Sequence, residues 1–370
     1  MAKKINQSTK DVALIKKACA LIEMAREQAV RHTNSLIVFS YFHIGQLIVE
    51  HEQGGESKAL YGESTILNLS EKLTSQFGKG FSVDNLERMR VFYDLFKHRN
   101  LTDEISETVS RKSSKHLKTR PAVSKTTIEK ISATVSRKSF AEQFPLPWSC
   151  YVILCKIEDE HERSFYELEA IQGNWSIREL QRQINSGLFE RLALSRNKKQ
   201  VKLLAKRGQI IEKPEDALKS NYVLEFLGLD TKSSYTESDL EKAIIDKLEH
   251  FLLEMGKGFL FQGRQVQFSF DDENFFVDLV LYNRLLRCFV LVDLKIGKLK
   301  HQDIGQMQMY VNYYDRYVKT STERPTIGII ICKNKSEAVV EITLPKNNKS
   351  IFAKEYKLYL PTKEELKRFI

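Results

Sequence analysis

Three charged residues stand inside two apolar stretches near the C-terminus of the 370-residue chain. Asp278 lies within FFVDLVLYN, and Asp293 and Lys295 lie within RCFVLVDLK. Both stretches have the β-branched and aromatic composition of buried strands. An unpaired charge in such a strand is costly, so buried charges persist when they are paired or bind a cation. The three residues are therefore candidates for a chemical role.

The spacing of these residues predicts that they meet. Asp293 and Lys295 project from the same face, because residues two apart in a strand point the same way. The segment between the strands, centred on Arg284–Leu286, is short enough for a hairpin, and Asp278 and Asp293 lie almost equally far from it. We expect the two aspartates to be cross-strand neighbours, with Cβ atoms about 5 Å apart.

Two neighbouring carboxylates repel each other unless a cation lies between them. Mg²⁺, with Mn²⁺ as the alternative, takes oxygen ligands, so Asp278, Asp293 and the backbone carbonyl of Leu294 would suit it. Lys295 would then face a phosphate oxygen and the attacking water, which it could orient or deprotonate. A structural ion pair between Asp293 and Lys295 at a strand end is the alternative interpretation.

The predicted flanking helices add three polar residues. Glu254, in the otherwise apolar FLLEMG, is a third acid that could reach the metal. Gln306 and Tyr310 are four residues apart, so they share a helix face and could line the mouth of the site. Each residue alone is commonplace, but the order Glu, Asp, Asp-x-Lys, Gln-x-x-x-Tyr along helix, strand, strand and helix favours one functional site.

Residues 236–370 have the predicted order helix, three strands, helix, strand. The first helix covers SDLEKAIIDKLEHFLLEMG, is capped by Thr236 or Ser238 and ends at Gly256. The strands FLFQGRQVQFSF, FFVDLVLYN and RCFVLVDLK are joined by short turns, and a helix over about 301–317 precedes the strand PTIGIIIC.

The first 100 residues predict a helical domain. STILNLSEKLTSQFGKGFSVDNLERMRVFYDLF has the outline of helix, glycine turn and helix, with Ser82 as the N-cap of the second helix. That helix carries Asn85, Arg88 and Arg90 in its first turns, as a helix-turn-helix DNA reader would. An ordinary helical hairpin with solvated arginines is the alternative.

Residues 101–140 interrupt the helical pattern and contain the near repeats ISETVSRKS and ISATVSRKS. The formal net charge of the chain is +10, and a basic balance suits a polyanion such as DNA. We predict a basic linker, either a solvated tether or a segment whose phosphate contacts come from Arg111, Lys112, Arg137 and Lys138. Helices resume over 141–235, with a capping box of Ser176 and Glu179, and the domain junction is expected near residue 235.

The five cysteines are scattered and include no CxxC pair, which does not fit a disulfide framework or a zinc ribbon. No apolar run approaches the roughly 20 residues that a membrane-spanning helix needs. The N-terminus lacks the apolar region of a secretion signal. We therefore expect a cytoplasmic protein without a membrane partner, and its oligomeric state, including a homo-oligomer, stays open.

Residues 240–370 resemble a PD-(D/E)xK nuclease domain, and FLLEMGKGFLFQGRQ, FFVDLVLYNRLLRCFVLVDLKIGK and GQMQMYVNYYD resemble its bacterial YhcG-type members. LSEKLTSQFGKGFSVDNLERMRVFY and NWSIRELQRQINSGLFERLALS resemble the N-terminal domain of that group. The resemblance implies an α/β (mixed α+β) fold, in which a helical DNA-handling domain precedes a restriction-endonuclease-like αβββαβ domain with a mixed sheet.

The resemblance also implies residue roles. The three strand residues fill the D, (D/E) and K positions of the motif, with Val277 where its proline often stands. The acid of the preceding helix corresponds to Glu254. The QxxxY element of RecB-like members, which contacts the substrate side of the site, corresponds to Gln306 and Tyr310.

Two hypotheses from different classes follow. The first is a Mg²⁺-dependent DNA nuclease that hydrolyses phosphodiester bonds in DNA metabolism or defence. The second is a catalytically silent module that uses the nuclease fold to bind DNA ends or branched DNA. An RNA nuclease is less favoured, because the chain has no RNP-like aromatic sheet motif.

Overall fold

The computed structural model describes residues 2–53, 60–99, 143–193, 198–229, 235–270, 273–362 and 365. The chain divides into two compact units, Met1–Arg163 and Ser164–Ile370. The predicted linker over 101–140 lies outside the described residues, and so do its predicted phosphate contacts at Arg111, Lys112, Arg137 and Lys138.

The first unit is helical. It contains α1 (Ala2–Gln53), α2 (Leu60–Phe77), α3 (Val83–Phe96) and α4 (Trp148–Leu154). The Ser82 hydroxyl accepts the Asn85 N–H at the start of α3, which confirms the predicted cap. A Cβ at Gly45 would overlap the backbone carbonyl of Met89, so glycine allows α1 and α3 to approach closely.

In the described part of the chain, five further helices precede the sheet. They are α5 (Glu160–Gly173), within which the two units divide, α6 (Ile177–Asn185), α7 (Leu188–Ala193), α8 (Lys198–Arg207) and α9 (Pro214–Ala217). The Ser176 side chain accepts the Glu179 N–H at the start of α6, which is one of the two hydrogen bonds of the predicted capping box.

The second unit is built on a six-stranded mixed sheet in the order β1-β6-β5-β4-β3-β2. Neighbours from β2 to β4 are antiparallel, and those from β4 through β5 and β6 to β1 are parallel. The strands are β1 (Asn221–Val223), β2 (Phe259–Phe270), β3 (Glu273–Asn283), β4 (Cys288–Lys298), β5 (Ile327–Asn334) and β6 (Ile351–Lys357). The predicted α/β fold and the αβββαβ order are confirmed. The sheet also includes β1, which lies before residue 236. This strand was not predicted, because three residues are too few to show a periodicity in the sequence.

The helices around the sheet differ from the prediction in one place. The single helix expected before β2 is two helices, α10 (Glu237–Asp246) and α11 (Leu248–Met255), because Lys247 leaves the helical conformation at φ −120° and ψ 34°. Thr236 caps α10. The helix α12 (His301–Tyr313) follows β4 and continues as a π-helical turn, and α13 (Glu337–Thr343) precedes β6.

Strand alternation divides the core of the second unit between the two faces of the sheet. Leu279 and Val292 belong to the cluster that includes side chains of α10 and α11. Val280 and Leu291 belong to the other cluster, which includes Met307 of α12. Val277 also belongs to the α12 cluster, although it is two residues from Leu279, so the alternation is interrupted next to Asp278. None of the described helices is both long and apolar enough to cross a bilayer.

Candidate active site

The hairpin of β3 and β4 brings the two predicted aspartates together. Leu279 is paired with Val292 and Val280 with Leu291, so one more step in the same register places Asp278 opposite Asp293. The ladder opens at this step, and the backbone N–H of Leu294 donates to Asp278 Oδ2 at 2.8 Å instead.

Asp293 and Lys295 form a close ion pair. Lys295 Nζ lies 2.9 Å from Asp293 Oδ2, and Asp293 is only 2% exposed. Burial raises the pKa of Asp293 to about 7, against the opposing charge of Lys295 and with a further rise from Asp278. Burial alone would lower the pKa of Lys295, but the charges of Asp293, Glu237 and Asp278 raise it above its usual value. A lysine held protonated in this way is suited to neutralising negative charge and orienting water more than to removing a proton.

One oxygen of Asp293 is buried against the ammonium of Lys295. Asp293 Oδ2 lies 2.9 Å from Lys295 Nζ, and Asp278 is a second carboxylate beside the pair. A divalent cation shared with Asp278 would add to the neutralisation that Lys295 provides.

The helix α12 is joined to β3 through Tyr310. The Tyr310 hydroxyl donates to the Phe276 carbonyl at 2.8 Å and accepts from Gln306 Nε2 at 2.5 Å. Burial, followed by the charge of Asp293, raises the pKa of Tyr310 to about 12, so its hydroxyl stays neutral at physiological pH. The structure thus brings Gln306 and Tyr310 next to the strand that carries Asp278, and Tyr310 fixes the distance between helix and strand.

The structure does not bring Glu254 to these aspartates. Its carboxylate is fully buried, with Oε1 accepting from Arg191 Nη1 at 2.5 Å and from the Val223 N–H at 2.9 Å. Oε2 lies 3.3 Å from Arg182 Nη2 and 3.4 Å from Lys219 Nζ. Both oxygens are therefore occupied by cations and a backbone N–H, and Glu254 has the surroundings of a structural charge cluster.

Three residues near the aspartates were missed by sequence reasoning. Gln265 Nε2 donates to Asp278 Oδ1 at 3.0 Å and to Glu241 Oε2 at 2.9 Å, so one amide bridges two acids. Glu237 Oε2 lies 3.8 Å from Lys295 Nζ. The acids Glu237 and Glu241 are four residues apart on α10, a spacing that could have identified this face.

The backbone around Gln265 explains why it was missed. Gln265 has φ 45°, which is unusual for a residue other than glycine. The β2–β3 register shifts between Phe261 and Gly263, just before this residue. Such a bulge re-aims side chains, and only Gly263 marks it in the sequence.

The donor set fits a hard divalent cation in type, with carboxylate oxygens and no sulfur or imidazole. Within the described ranges, however, no group of three or more His, Cys, Asp or Glu side chains is placed to hold a metal ion. Asp278 and Asp293 form a pair, and the Gln265 amide lies between Asp278 and Glu241. A cation would therefore be held mainly by Asp278 and Asp293, with the Leu294 carbonyl a predicted third donor.

Of the three residues predicted to contact DNA in the first unit, two have partners within that unit. The Asn85 amide donates to the Gly80 carbonyl at 2.6 Å and accepts from Trp148 Nε1 at 3.0 Å. Arg90 pairs with Glu87 at 2.6 Å and with Glu52 at 3.3 Å. Arg88 is exposed. Contact with DNA stays a prediction for all three, and Arg88 is the best placed to make it.

Two family models match successive parts of the chain. Residues 215–370 match the family model described as "YhcG PDDEXK nuclease domain", and residues 17–191 match the "DUF1016 N-terminal domain". The chain is 39% identical over 346 residues to the Escherichia coli (strain K12) protein named "Putative nuclease YhcG", a match that covers 94% of this chain and 90% of that protein.

Two solved structures share part of the chain at low similarity. A repair endonuclease from Pyrococcus abyssi is 19% identical over 35% of this chain, with a TM-score of 0.23. The structure of an EndoMS–dsDNA complex is 14% identical over 36%, with a TM-score of 0.25. Each match spans half of the solved chain. On the strength of the match along almost its whole length, the chain belongs to the YhcG family of PDDEXK nuclease-domain proteins.

Proposed function

We propose that this protein is a divalent-metal-dependent nuclease that hydrolyses phosphodiester bonds in DNA. The observation that supports this most directly is the group of Asp278, the buried Asp293 and the partly exposed Lys295, in which two neighbouring carboxylates share one lysine. The membership in a nuclease-domain family agrees with it.

Asp278 and Asp293 would hold the cation, with Mg²⁺ preferred and Mn²⁺ as a substitute, because their oxygens are hard ligands. When bound, the ion would supply Lewis acidity toward the phosphate and the attacking water. Lys295, kept protonated by Asp293, would offset the negative charge that develops on the phosphate and orient the water. Tyr310 and Gln306 would hold α12 at the correct distance, and Glu241 would take the supporting position that the sequence had suggested for Glu254.

Cleavage assays with a matched lysine control test this proposal. Linear, branched and circular DNA would be incubated with wild type, Lys295→Ala and Lys298→Ala in Mg²⁺, Mn²⁺ or EDTA. Lys298 lies on the same strand but is exposed. We expect wild type and Lys298→Ala to cleave DNA in the Mg²⁺ and Mn²⁺ buffers. EDTA and Lys295→Ala should each abolish this cleavage. Cleavage that persists in EDTA, or in the Lys295→Ala variant, would refute the assigned mechanism.

A second candidate is a catalytically silent module that binds DNA ends or branched DNA. It is favoured by the Gln265 amide, which lies between Asp278 and Glu241 where a third carboxylate would otherwise complete a metal site. In that case DNA binding survives Asp278→Ala, and wild type cleaves none of the substrates in any metal.

A further inference from the structure

A row of aromatic rings leads from the candidate active site to the surface. The ring of Tyr310 meets Phe268 edge-to-face at 5.5 Å, and Phe268 stacks on Tyr313 with centroids 4.0 Å apart. The ring centroids of Tyr313 and Tyr317 are 5.3 Å apart, and Tyr317 is 74% exposed. Phe270, 42% exposed, is parallel to Phe268 at 6.3 Å. The row is therefore buried next to the site and open to solvent at its other end.

The open end of this row lines a groove of about 780 Å³ between β2 and α12. Its polar lining includes the amides of Gln308 and Asn312, which bond to each other at 3.2 Å, and the guanidinium of Arg316. Among the described residues of the lining, Arg316 carries the single formal charge. We call this surface, with Phe270, Tyr313 and Tyr317, the aromatic groove.

These groups match the parts of an unpaired nucleotide. Every base has a flat face that can stack on an exposed aromatic ring, and such stacking tolerates any sequence. The amides can pair with base edges, and Arg316 can bind a phosphate or stack on a base. A paired base in a continuous duplex has both faces covered by its neighbours, so it cannot use these rings.

Charge and position favour nucleic acid over an apolar protein segment. The cation Arg316 complements a phosphate, and the rings run without interruption to Tyr310, whose hydroxyl is bonded to the strand of Asp278. The exposed acid Glu273, at the start of β3, would repel phosphates from the strand side of the groove. The backbone of a bound strand would therefore lie along α12.

We propose that the aromatic groove binds unpaired bases of the DNA strand whose phosphodiester lies at Asp278 and Asp293. This inference rests on the proposed nuclease function and names its substrate class: DNA with a single-stranded segment beside the cleaved bond, such as a frayed end, a flap or a branch.

Binding measurements in EDTA test the groove without requiring cleavage. The full chain would be titrated with labelled single-stranded DNA, with the same strand carrying abasic residues, and with a closed duplex hairpin. Tyr317→Ala removes the most exposed ring, Tyr317→Trp keeps stacking, and Tyr317→Leu keeps only apolar area. Tyr359→Ala is the matched control, since Tyr359 is an exposed tyrosine outside the groove lining.

We expect Tyr317→Ala and Tyr317→Leu to weaken single-strand binding about 5- to 150-fold, the range of one lost base stack. Tyr317→Trp and Tyr359→Ala should bind as wild type does, and the abasic strand and the duplex should be insensitive to Tyr317→Ala. Quenching of 2-aminopurine in the single strand should be lost in the same variants.

Equal losses for duplex and single strand, or no loss for either, overturn the inference. So does a change of oligomeric state in Tyr317→Ala with unchanged DNA binding, which would assign the surface to a second copy of the chain. The proposed function fails separately: if wild type never cleaves but single-strand binding depends on Tyr317, the groove stands without the nuclease. If cleavage requires Lys295 while single-strand binding is unaffected by substitutions of Tyr317, the nuclease function stands and the role of the aromatic groove is refuted.

Discussion

The Glu254→Gln substitution removes one negative charge from a buried cluster while keeping the size of the side chain. Glu254 is the single acid that contacts both Arg191 and Lys219 in the described part of the chain, and all three side chains are buried. The Lys219 ammonium also donates to the backbone carbonyl of Glu254. After the substitution, the buried guanidinium of Arg191 would remain without the carboxylate that now neutralises it, and Lys219, whose pKa burial already lowers to about 7, would lose its proton more readily.

The expected cost is large because the partners cannot reach water. Breaking a buried ion pair from one side costs about 3–5 kcal/mol. For a unit of about 200 residues, each kcal/mol lowers the melting temperature by about 2–4 °C, so a decrease of about 6–20 °C is expected. Affinity for divalent metal should not change in the folded protein, since Glu254 does not reach the aspartates.

The pH dependence gives a second, independent readout. Burial opposes ionisation of Glu254, but the charges of Arg191, Lys219 and Arg182 prevail and lower its pKa from 4.5 to about 2. A depressed pKa in the folded state stabilises the protein above the unfolded value, and this contribution is lost as the pH falls from 4.5 toward 2. The difference in stability between wild type and Glu254→Gln should therefore be full at pH 7 and shrink below pH 4.5.

Thermal melts at pH 7 and pH 3.5, together with calorimetric titration of Mn²⁺ at pH 7, would measure these effects. Glu249→Gln is the matched control, because Glu249 is an exposed acid on the same helix. A melting temperature within about 2 °C of wild type, combined with a loss of Mn²⁺ affinity, would refute the structural role and return Glu254 to the metal site.

Three further predictions concern the site and the linker. Asp293→Asn should raise the melting temperature more at pH 8 than at pH 4. The pKa of Asp293 is raised from 3.8 to about 7 in the folded protein, so its ionisation destabilises the fold as the pH rises through that window. Equal shifts of the melting temperature at both pH values would contradict this. Gln265→Ala should change Mn²⁺ affinity by about tenfold or more in calorimetry, whereas Gln267→Ala on the same strand should not, since its amide bonds only to Asn274 among the described residues. The last prediction neutralises the linker residues Arg111, Lys112, Arg137 and Lys138. If they contact phosphates, the slope of log K for DNA binding against log[salt] should become shallower by about one per lost contact. An unchanged slope would make the linker a tether.

The strands and the pair of aspartates could be predicted because their signal is local. Apolar runs of strand length, a short connection and equal distances from it are enough to place Asp278 beside Asp293. The three-residue β1 and the division of the helix at Lys247 could not be predicted, because neither leaves a periodic pattern or a strong helix-breaking residue.

The composition of the site was less predictable than its position. Glu254 and Glu241 are both acids on the helical segment before β2, and Glu254 stands out in sequence because its neighbours are apolar. Its apolar neighbours reflect burial in the core, where distant residues such as Arg191 and Lys219 supply its partners. Glu241 stands in a segment of mixed polar and apolar residues, next to Leu240 and Lys242, and shows no such contrast, yet the bulged strand brings Gln265 and Asp278 to it.

Buried charge by itself therefore does not identify the chemically active residues of this fold. Glu254 and Asp293 are both buried acids, but they differ in the charges that surround them. Every oxygen of Glu254 is in contact with a cation, and its pKa is lowered, as expected for a carboxylate that stabilises the folded state. Asp293 has Lys295 as its one ion-pair partner in the described part of the chain and lies beside a second carboxylate, Asp278, so its pKa is raised and an added cation would stabilise its ionised form. The residue whose charge the protein leaves incompletely compensated is the one placed to bind something that the chain does not supply.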